Sequence, residues 1–230
     1  SEIQHDNDAA SSNYADQVAT LANDLVQLTA TAVVTDADGD TATDSDTIDL
    51  GGNINFADDG PSVTVAATED NDVDLTTLDA ESLTSTSTDV SSDADFTSMF
   101  TVTPVAGADR NATTVTTYSL SLATAAGVAV VNGTDSGLDA GNDSDDPSNI
   151  YLHDIDGVVY GSTVATGTDA AVINDAVFTI AVDPTTGIVT LTQISEIQHA
   201  NDAASINYDT QLATLANDLV QLTATAVVTD

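Results

Sequence analysis

The chain has no cysteine and no tryptophan, and apart from three histidines Arg110 is its only basic residue among 230. Without cysteine, the fold contains no disulfide, no thiolate metal site and no iron–sulfur cluster. Extracellular proteins that lack disulfides are commonly stabilised by bound metal instead. Because one base accompanies 38 acids, electrostatic attraction to nucleic acid or to an anionic membrane is excluded.

The formal charge of −37 would suit a disordered acidic chain, but the apolar content argues against that interpretation. Hydrophobic residues make up 41% of the sequence, whereas disordered acidic segments are poor in them. Aromatic residues make up only 4%, so we expect a thin core built mainly from Ala, Val, Leu and Ile. No apolar run reaches the roughly 18–20 residues that a membrane-spanning helix needs.

An internal repeat is the most informative feature of the sequence. Segment 1–36 returns as 195–230, an offset of 194 residues, with differences at only five positions. These differences indicate two related copies from a tandem array. We therefore predict two parts: 1–56 is the tail of one unit, and 57–230 is the following unit without a counterpart of 37–56.

Short segments with alternating apolar and polar residues, separated by turn residues, predict an all-β protein. Within 25–35, for example, Val26, Leu28 and Val34 fall on one face and Thr29 falls on the other. Further strands are predicted at 41–50, 62–67, 113–124, 128–131, 150–160 (a hairpin turning at Asp156-Gly157), 177–182, 188–193 and 219–229. The regular spacing and the many turn signals favour an antiparallel β-sandwich.

The remaining stretches are predicted to be irregular. Residues 76–98 are interpreted as loop or edge structure, and 132–148 as a long turn-rich loop, because Ser, Thr, Asp and Gly dominate there. Residues 9–23 are predicted to hold at most one helical turn. Residues 58–61 are interpreted as a linker, since Pro61 fixes its own φ and biases the preceding residue toward an extended conformation.

The principal candidate site consists of five carboxylates, those of Asp36, Asp38, Asp40, Asp58 and Asp59. The alternating spacing of the first three brings them together, and the glycine among them permits a tight turn. Hard oxygen ligands favour a hard cation, so the sequence predicts a Ca²⁺ site. The alternative is a solvated acidic turn that binds nothing, and the closing Glu of an EF-hand loop is missing.

Other candidate residues carry weaker signals. Glu69 and Asp70 are equally compatible with a ligand role and with a plain loop. Asp154 is interpreted as a hairpin-turn residue. The triplet at 135–137, Asp-Ser-Gly, is similar to that of aspartic proteases, and His153 adjoins Asp154, but no organised nucleophile accompanies them. We therefore predict that the chain is not an enzyme.

Several segments resemble a known family. Segment 178–191, Phe-Thr-Ile-Ala-Val-Asp-Pro-Thr-Thr-Gly-Ile-Val-Thr-Leu, is similar to the penultimate hairpin of bacterial cadherin-like and Ig-like adhesin repeats. Segment 28–43, followed by 56–63, resembles the end and junction of the long repeats in giant type I secreted RTX adhesins. The likeness is strongest over 20–65 and 177–230. The Gly-Gly-x-Gly-x-Asp nonapeptide of the RTX β-roll is absent.

This resemblance implies an extracellular, cell-surface protein made of Ig-like or cadherin-like β-sandwich repeats that extend an adhesin. It also implies Ca²⁺ at the junctions between repeats. The ligands that it implies are Asp36, Asp38, Asp40, Asp58 and Asp59, with Glu69 and Asp70 as further partners from the following unit. The partners expected are neighbouring repeats of the same array.

Two other functions remain open at this level. In the first, the chain is a filament subunit, and the strand that 57–230 lacks is supplied by another chain through β-augmentation. In the second, the chain is a ligand-binding module that uses 76–98 or 132–168 to bind a glycan or a peptide.

Overall fold

The computed structural model describes residues 3, 17–68, 73–78, 90–107, 112–124, 127–141, 148–199 and 211–229. Strands make up 56% of the protein and helices 5%, which confirms the predicted all-β class. By their contacts, the described residues divide into two compact units. The first contains those of Ser1–Ser62, Val105–Thr113 and Thr229–Asp230, and the second those of Val63–Pro104 and Thr114–Val228.

Fourteen strands are described, together with two short helical segments. The first five strands are β1 (Val18–Thr20), β2 (Gln27–Thr35), β3 (Thr41–Asp49), β4 (Asn55–Ala57) and β5 (Ser62–Ala67). The next five are β6 (Val90–Asp95), β7 (Phe100–Val105), β8 (Thr113–Leu122), β9 (Thr134–Ala140) and β10 (Ser148–Ile155). The last four are β11 (Val158–Ser162), β12 (Ala176–Val182), β13 (Ile188–Gln193) and β14 (Val220–Thr229). A 3₁₀ turn covers Thr97–Met99, and helix α1 covers Asp169–Asn174.

The first unit is built on an antiparallel ribbon formed by β1 to β4. Strands β2 and β3 pair along nine positions each, and β1 pairs with β4 at the other end of the ribbon. Backbone hydrogen bonds connect the two ladders: Leu21 N–H donates to Ile54 O, and Leu50 N–H donates to Val26 O, both at 2.9 Å. The ribbon is therefore continuous from its base at β1 and β4 to its tip between β2 and β3.

Both faces of the β2–β3 hairpin are exposed in the described chain. One face is polar, and there the Thr29 and Thr47 hydroxyl oxygens lie 3.0 Å apart. The other face is mixed: it pairs Leu28 with Ile48, whose side chains are 55% and 60% exposed, and places two of the β3 aspartates opposite alanines of β2. A two-stranded ribbon of this kind is at best marginally stable alone.

The second unit has two packed β layers. Strands β6-β13-β12-β11-β10-β9 form one six-stranded sheet in that order, joined by antiparallel pairs. Strands β8 and β14 form a second sheet, and β5 pairs with β7. The core lies between the β8–β14 pair and the six-stranded sheet. Its buried side chains are Leu120, Leu122, Leu138, Ile150, Leu152, Val159, Val177 and Phe178.

The long hairpins were predicted closely. The turn between β10 and β11 places Asp156 at φ 54° and Gly157 at φ 81°, the left-handed pair that a two-residue turn of this type requires. Strand β3 forms as predicted although it carries three aspartates, because its hairpin is solvated on both sides. Residues 58–61 form no strand, as predicted for a linker.

The interpretation of 132–148 as a loop is wrong, because strand β9 lies within it. That strand buries Ser136 and Leu138 on alternate positions and exposes Asp135 and Gly137 between them. It is the edge strand of the six-stranded sheet, where polar residues on the open face cost little. The predicted strand at 128–131 is reduced to a single bridge between Ala123 and Ala129.

Candidate metal centre

The Asp-rich turn closes the tip of the β2–β3 hairpin. Asp36 N–H donates to Asp40 O at 3.0 Å, and Gly39 N–H donates to Asp36 O at 3.2 Å. Gly39 has φ +99°, a left-handed conformation that residues with a Cβ rarely adopt. The backbone therefore reverses within a few residues, and the side chains of this turn project from one small region.

The carboxylates of Asp36, Asp38 and Asp40 lie together at this tip. Ligand oxygens from the three residues are all within 4.8 Å of one another, and all three residues are exposed. Three oxygen donors at this spacing fit the coordination chemistry of a hard divalent cation such as Ca²⁺, which takes its remaining ligands from backbone carbonyls or water. The structure thus gathers three of the five predicted ligands at the hairpin tip.

The local hydrogen bonds favour the ionised form of Asp36. Its pKa is lowered from the ordinary value of 3.8, first because the Asp38 carboxyl hydrogen-bonds to it and further because nearby backbone N–H groups point at it. One of these is Asp40 N–H, which donates to Asp36 Oδ1 at 3.0 Å. Asp36 is therefore ready to accept a cation at neutral pH.

Asp58 and Asp59 lie at the opposite end of the same ribbon. Asp58 follows β4, and its N–H donates to Gln17 O at 3.0 Å. The β2–β3 hairpin lies between them and the Asp-rich turn, and at about 3.3 Å per residue its nine paired positions span roughly 26 Å. The two acidic sets therefore do not share one ion within this ribbon. The ligand role of Asp58 and Asp59 stays a prediction, and Glu69 and Asp70 lie outside the described residues.

An aspartate that sequence reasoning did not single out braces the middle of the ribbon. Asp49 accepts from Asp24 N–H through Oδ2 and from Gly51 N–H through Oδ1, both at 2.9 Å. Its pKa is lowered, chiefly by the Asp24 N–H and then by the Gly51 N–H. The Asp-x-Gly spacing of Asp49 and Gly51 was the sequence signal that could have predicted this side-chain-to-backbone bond. Both oxygens of this carboxylate accept from backbone N–H groups. These bonds stabilise the turn between the β2–β3 ladder and the β1–β4 ladder.

The residues considered for catalysis have structural roles. His153 is buried, and its Nε2 lies 2.7 Å from Val164 O, where it donates to the carbonyl. Asp154 Oδ1 accepts from Gly157 N–H at 3.0 Å in the hairpin turn. Asp135 accepts from Gly137 N–H and from the Asn149 side-chain amide, both at 2.9 Å. Each group thus supports a local turn or strand.

One cleft in the second unit has an apolar lining. It encloses about 350 Å³ and is bordered by Asp74–Thr77 near the edge of the six-stranded sheet. Its apolar wall includes Phe178 and Ile180, and Thr77 Oγ1 donates to Gln193 Oε1 at 2.6 Å beside it. Among the described residues of the stretch 76–98 that was considered for ligand binding, Thr76 and Thr77 border this space.

The two β layers and the acidic hairpin tip define an all-β sandwich protein with a candidate cation site. The chain belongs to the family described as domain of unknown function DUF5801, whose model matches residues 62–230. No curated protein and no solved structure matches the chain. Among the described residues, no helix is both long enough and apolar enough to cross a membrane.

Proposed function

We propose that this chain is an extender segment of a secreted, cell-surface adhesin, in which Ca²⁺ at Asp-rich turns stiffens a tandem array of β-sandwich units. The observation that carries the proposal is the convergence of Asp36, Asp38 and Asp40 at the tip of a hairpin. The same strand sequence recurs after 194 residues, so an array built on this repeat would present such a turn once per unit.

The physical basis is the charge of the chain. A formal charge of −37 opposes compaction through self-repulsion, and one base cannot offset it. Divalent cations bound at the turns would neutralise part of that charge and restrict the motion of the backbone that supplies their ligands. The remaining surface charge would keep neighbouring arrays apart and discourage edge-to-edge pairing of strands.

Calcium binding is tested by isothermal titration calorimetry on the full chain at millimolar Ca²⁺. We expect uptake that is reduced by Asp38→Asn, which removes one ligand charge from the cluster. The matched control is Asp156→Asn, which removes the same charge from another hairpin turn and leaves uptake unchanged. Absence of uptake by the unsubstituted chain, or equal loss in both variants, would contradict the proposal.

Stiffening is tested by small-angle X-ray scattering in Ca²⁺ and in EDTA. The maximum dimension should be better defined in Ca²⁺, because bound ions oppose the repulsion among the carboxylates. Equal maximum dimensions and equally flexible scattering profiles in both buffers would refute the mechanical part of the proposal while leaving calcium binding itself intact.

A further inference from the structure

One dipeptide of the second unit has the sequence that favours spontaneous deamidation. Asparagine followed by glycine occurs once in the chain, at Asn132-Gly133. Asparagine is thermolabile because the backbone nitrogen of the next residue can attack its side-chain amide. Glycine in the next position favours this attack, since it has no side chain to restrict the backbone or to shield its nitrogen. The pair lies in the turn at 131–134 that leads into β9, which we call the β9 entry turn.

The side-chain amide of Asn132 is held by the backbone of β10. Its Oδ1 accepts from Asp154 N–H at 2.9 Å, and its Nδ2 donates to Asp154 O at 3.2 Å. An asparagine side chain offers a carbonyl acceptor and N–H donors, as a peptide group does. The Asn132 amide therefore extends the β9–β10 ladder beyond its end, where Thr134 pairs with Leu152.

The nitrogen that would attack this amide is held as well. Gly133 N–H donates to Leu152 O at 2.8 Å, and Leu152 is fully buried. Gly133 has φ +86°, and a Cβ at this position would overlap the carbonyl oxygen of Ala165. The loop that contains Ala165 is fixed in turn by the buried His153, whose Nε2 donates to Val164 O at 2.7 Å. Gly133 is thus confined between β10 and this loop.

Deamidation requires both groups to leave these positions. The Gly133 nitrogen must lose its proton to a base in the solvent and form a bond to Asn132 Cγ, while the Cγ–Nδ2 bond breaks and ammonia leaves. Water then opens the resulting succinimide ring at either carbonyl and gives aspartate or isoaspartate. The first step is blocked while the Gly133 proton is bound to Leu152 O and the Asn132 amide is paired with the β10 backbone. The reaction therefore depends on local opening of the β9 entry turn.

Neither product can restore the hydrogen bonds of the β9 entry turn. An aspartate at position 132 has no N–H to donate to Asp154 O and would set a carboxylate oxygen against that carbonyl. An isoaspartate routes the main chain through the former side-chain carbons, which adds a methylene group to the backbone and leaves no amide to pair with Asp154. Conversion at Asn132 therefore prevents the turn from closing again.

We propose that Asn132 is a modification site at which spontaneous deamidation irreversibly records the opening of the β9 entry turn. The folded turn protects the site, and each opening exposes it to the solvent. Conversion then leaves β9, the edge strand of the six-stranded sheet, unpaired at its first residues. The proposal involves neither the acidic hairpin tip nor Ca²⁺, so its test is independent of that of the proposed function.

Protection is tested by incubating the full chain in a mildly alkaline buffer with EDTA, beside a synthetic peptide of residues 128–140 as the unprotected reference. Peptide mass spectrometry quantifies asparagine, aspartate and isoaspartate at position 132 over time. The peptide should convert, and the full chain should convert at least about tenfold more slowly, which corresponds to about 1.4 kcal/mol of opening free energy. Equal rates in the chain and the peptide, or no conversion of the peptide, would overturn the proposal.

The consequence of conversion is tested with Asn132→Asp, which carries the aspartate product in every molecule. Hydrogen–deuterium exchange at 133–136 should be faster than in the unsubstituted chain, because the pairing with Asp154 is lost. The matched control Asn174→Asp makes the same change of charge at an exposed position of α1 and should leave this exchange unchanged.

The same exchange is measured on the unsubstituted chain after partial conversion, since converted and unconverted peptides separate by chromatography. This readout does not depend on any variant folding. Unchanged exchange at 133–136 in the converted molecules, or equal acceleration in Asn174→Asp, would contradict the proposal.

Discussion

The two copies of one 18-residue segment, 19–36 and 213–230, separate local from tertiary effects within a single chain. Both copies place an aspartate at φ 64° and then form a strand, which begins at Gln27 in one and at Val220 in the other. Yet Val34 is 67% exposed, whereas its counterpart Val228 is half-buried. The turn and the strand follow from the segment itself, and the burial follows from what lies beside it.

The neighbours explain the difference. The second copy lies against the core of the second unit, which Leu219, Val220 and Leu222 contact. Among the described residues, the first copy pairs with β3 and, at its start, with β4, and the β2–β3 hairpin leaves both of its faces open. Identical side chains therefore make different contributions to stability, because removal of apolar area from water is what each contribution depends on.

The largest expected effect comes from proline substitutions at adjacent positions of the shared strand. The position at which proline is costly should differ between the two copies. Odd-numbered residues of β14 face β8, since Ala123 N–H donates to Leu219 O at 3.2 Å, whereas even-numbered residues of β2 face β3. Thr225→Pro removes an N–H that faces β8 and should destabilise the second unit by at least about 2 kcal/mol, since a ladder hydrogen bond is lost and its acceptor is left unpaired. Ala224→Pro lies on the edge of β14 where no strand is paired among the described residues, and it should cost less than about 1 kcal/mol. Thermal melts followed by circular dichroism measure both.

In the first copy the order should be opposite. Ala30→Pro removes an N–H that faces β3 and should open the hairpin, whereas Thr31→Pro should leave it paired. Hydrogen–deuterium exchange with mass spectrometry detects this, because the substitution distinguishes fragments of the two copies by mass. The same proline tolerance in both copies would refute the assignment of opposite edges.

A smaller effect is expected from one truncation made at equivalent positions. Leu222→Ala should destabilise the second unit by about 1–3 kcal/mol, because Leu222 packs against the core. Leu28→Ala should change stability by less than about 0.5 kcal/mol, because Leu28 is largely exposed. Chemical denaturation of the two variants under one set of conditions gives the comparison; equal losses would show that the first copy is also buried in solution.

Calcium should act on the copies unequally. The first copy ends in the turn that gathers Asp36, Asp38 and Asp40, so Ca²⁺ should slow amide exchange there and at the adjoining ends of β2 and β3. The turn between β12 and β13 is a control, since Asp183 Oδ1 already accepts from Thr185 and Thr186 N–H at 2.8 and 2.9 Å. Slowed exchange at both turns would indicate general charge screening and not a site.

The smallest expected effect is on the pH response of the shared turn. In the first copy, Asp49 accepts from Asp24 N–H, and the pKa of Asp49 is lowered below 3.8, chiefly by that bond. A lowered pKa in the folded state gives stability that is present above the unfolded value and is lost as pH falls through the folded value. The Asp24 amide resonance should therefore shift below pH 3.8 and lose that shift in Asp49→Asn, while the Asp218 amide should not respond to this substitution.

Much of the fold could be predicted because the signals are local. The Asp156-Gly157 turn demands left-handed backbone, and alternation in β13 places Val189 and Leu191 on the same face. Strand β9 was missed because Ser136 and Gly137 resemble turn residues, and only their place at a sheet edge makes them a strand. Helix α1 was also missed; it is short and depends on the Thr168 hydroxyl, which accepts from Ala171 N–H at 3.4 Å.

The candidate site divides in the same way. The Asp-x-Asp-x-Asp spacing around Gly39 was sufficient to predict that three carboxylates meet, because a tight turn brings alternate residues together whatever surrounds it. The placement of Asp58 and Asp59 at the other end of the ribbon was not predictable, since it depends on the pairing of β1 with β4 across a long stretch of sequence.

The sequence by itself determined the all-β class, the repeat, the turn conformations and the acidic hairpin tip, because each depends on residues close together along the chain. Only the tertiary structure decided which edge of a strand is covered and which apolar face is buried. The reason is physical: a strand offers hydrogen bonds on two edges and side chains on two faces, and nothing within it specifies which neighbour will occupy them. The different neighbours of the two copies therefore give one 18-residue sequence two different environments.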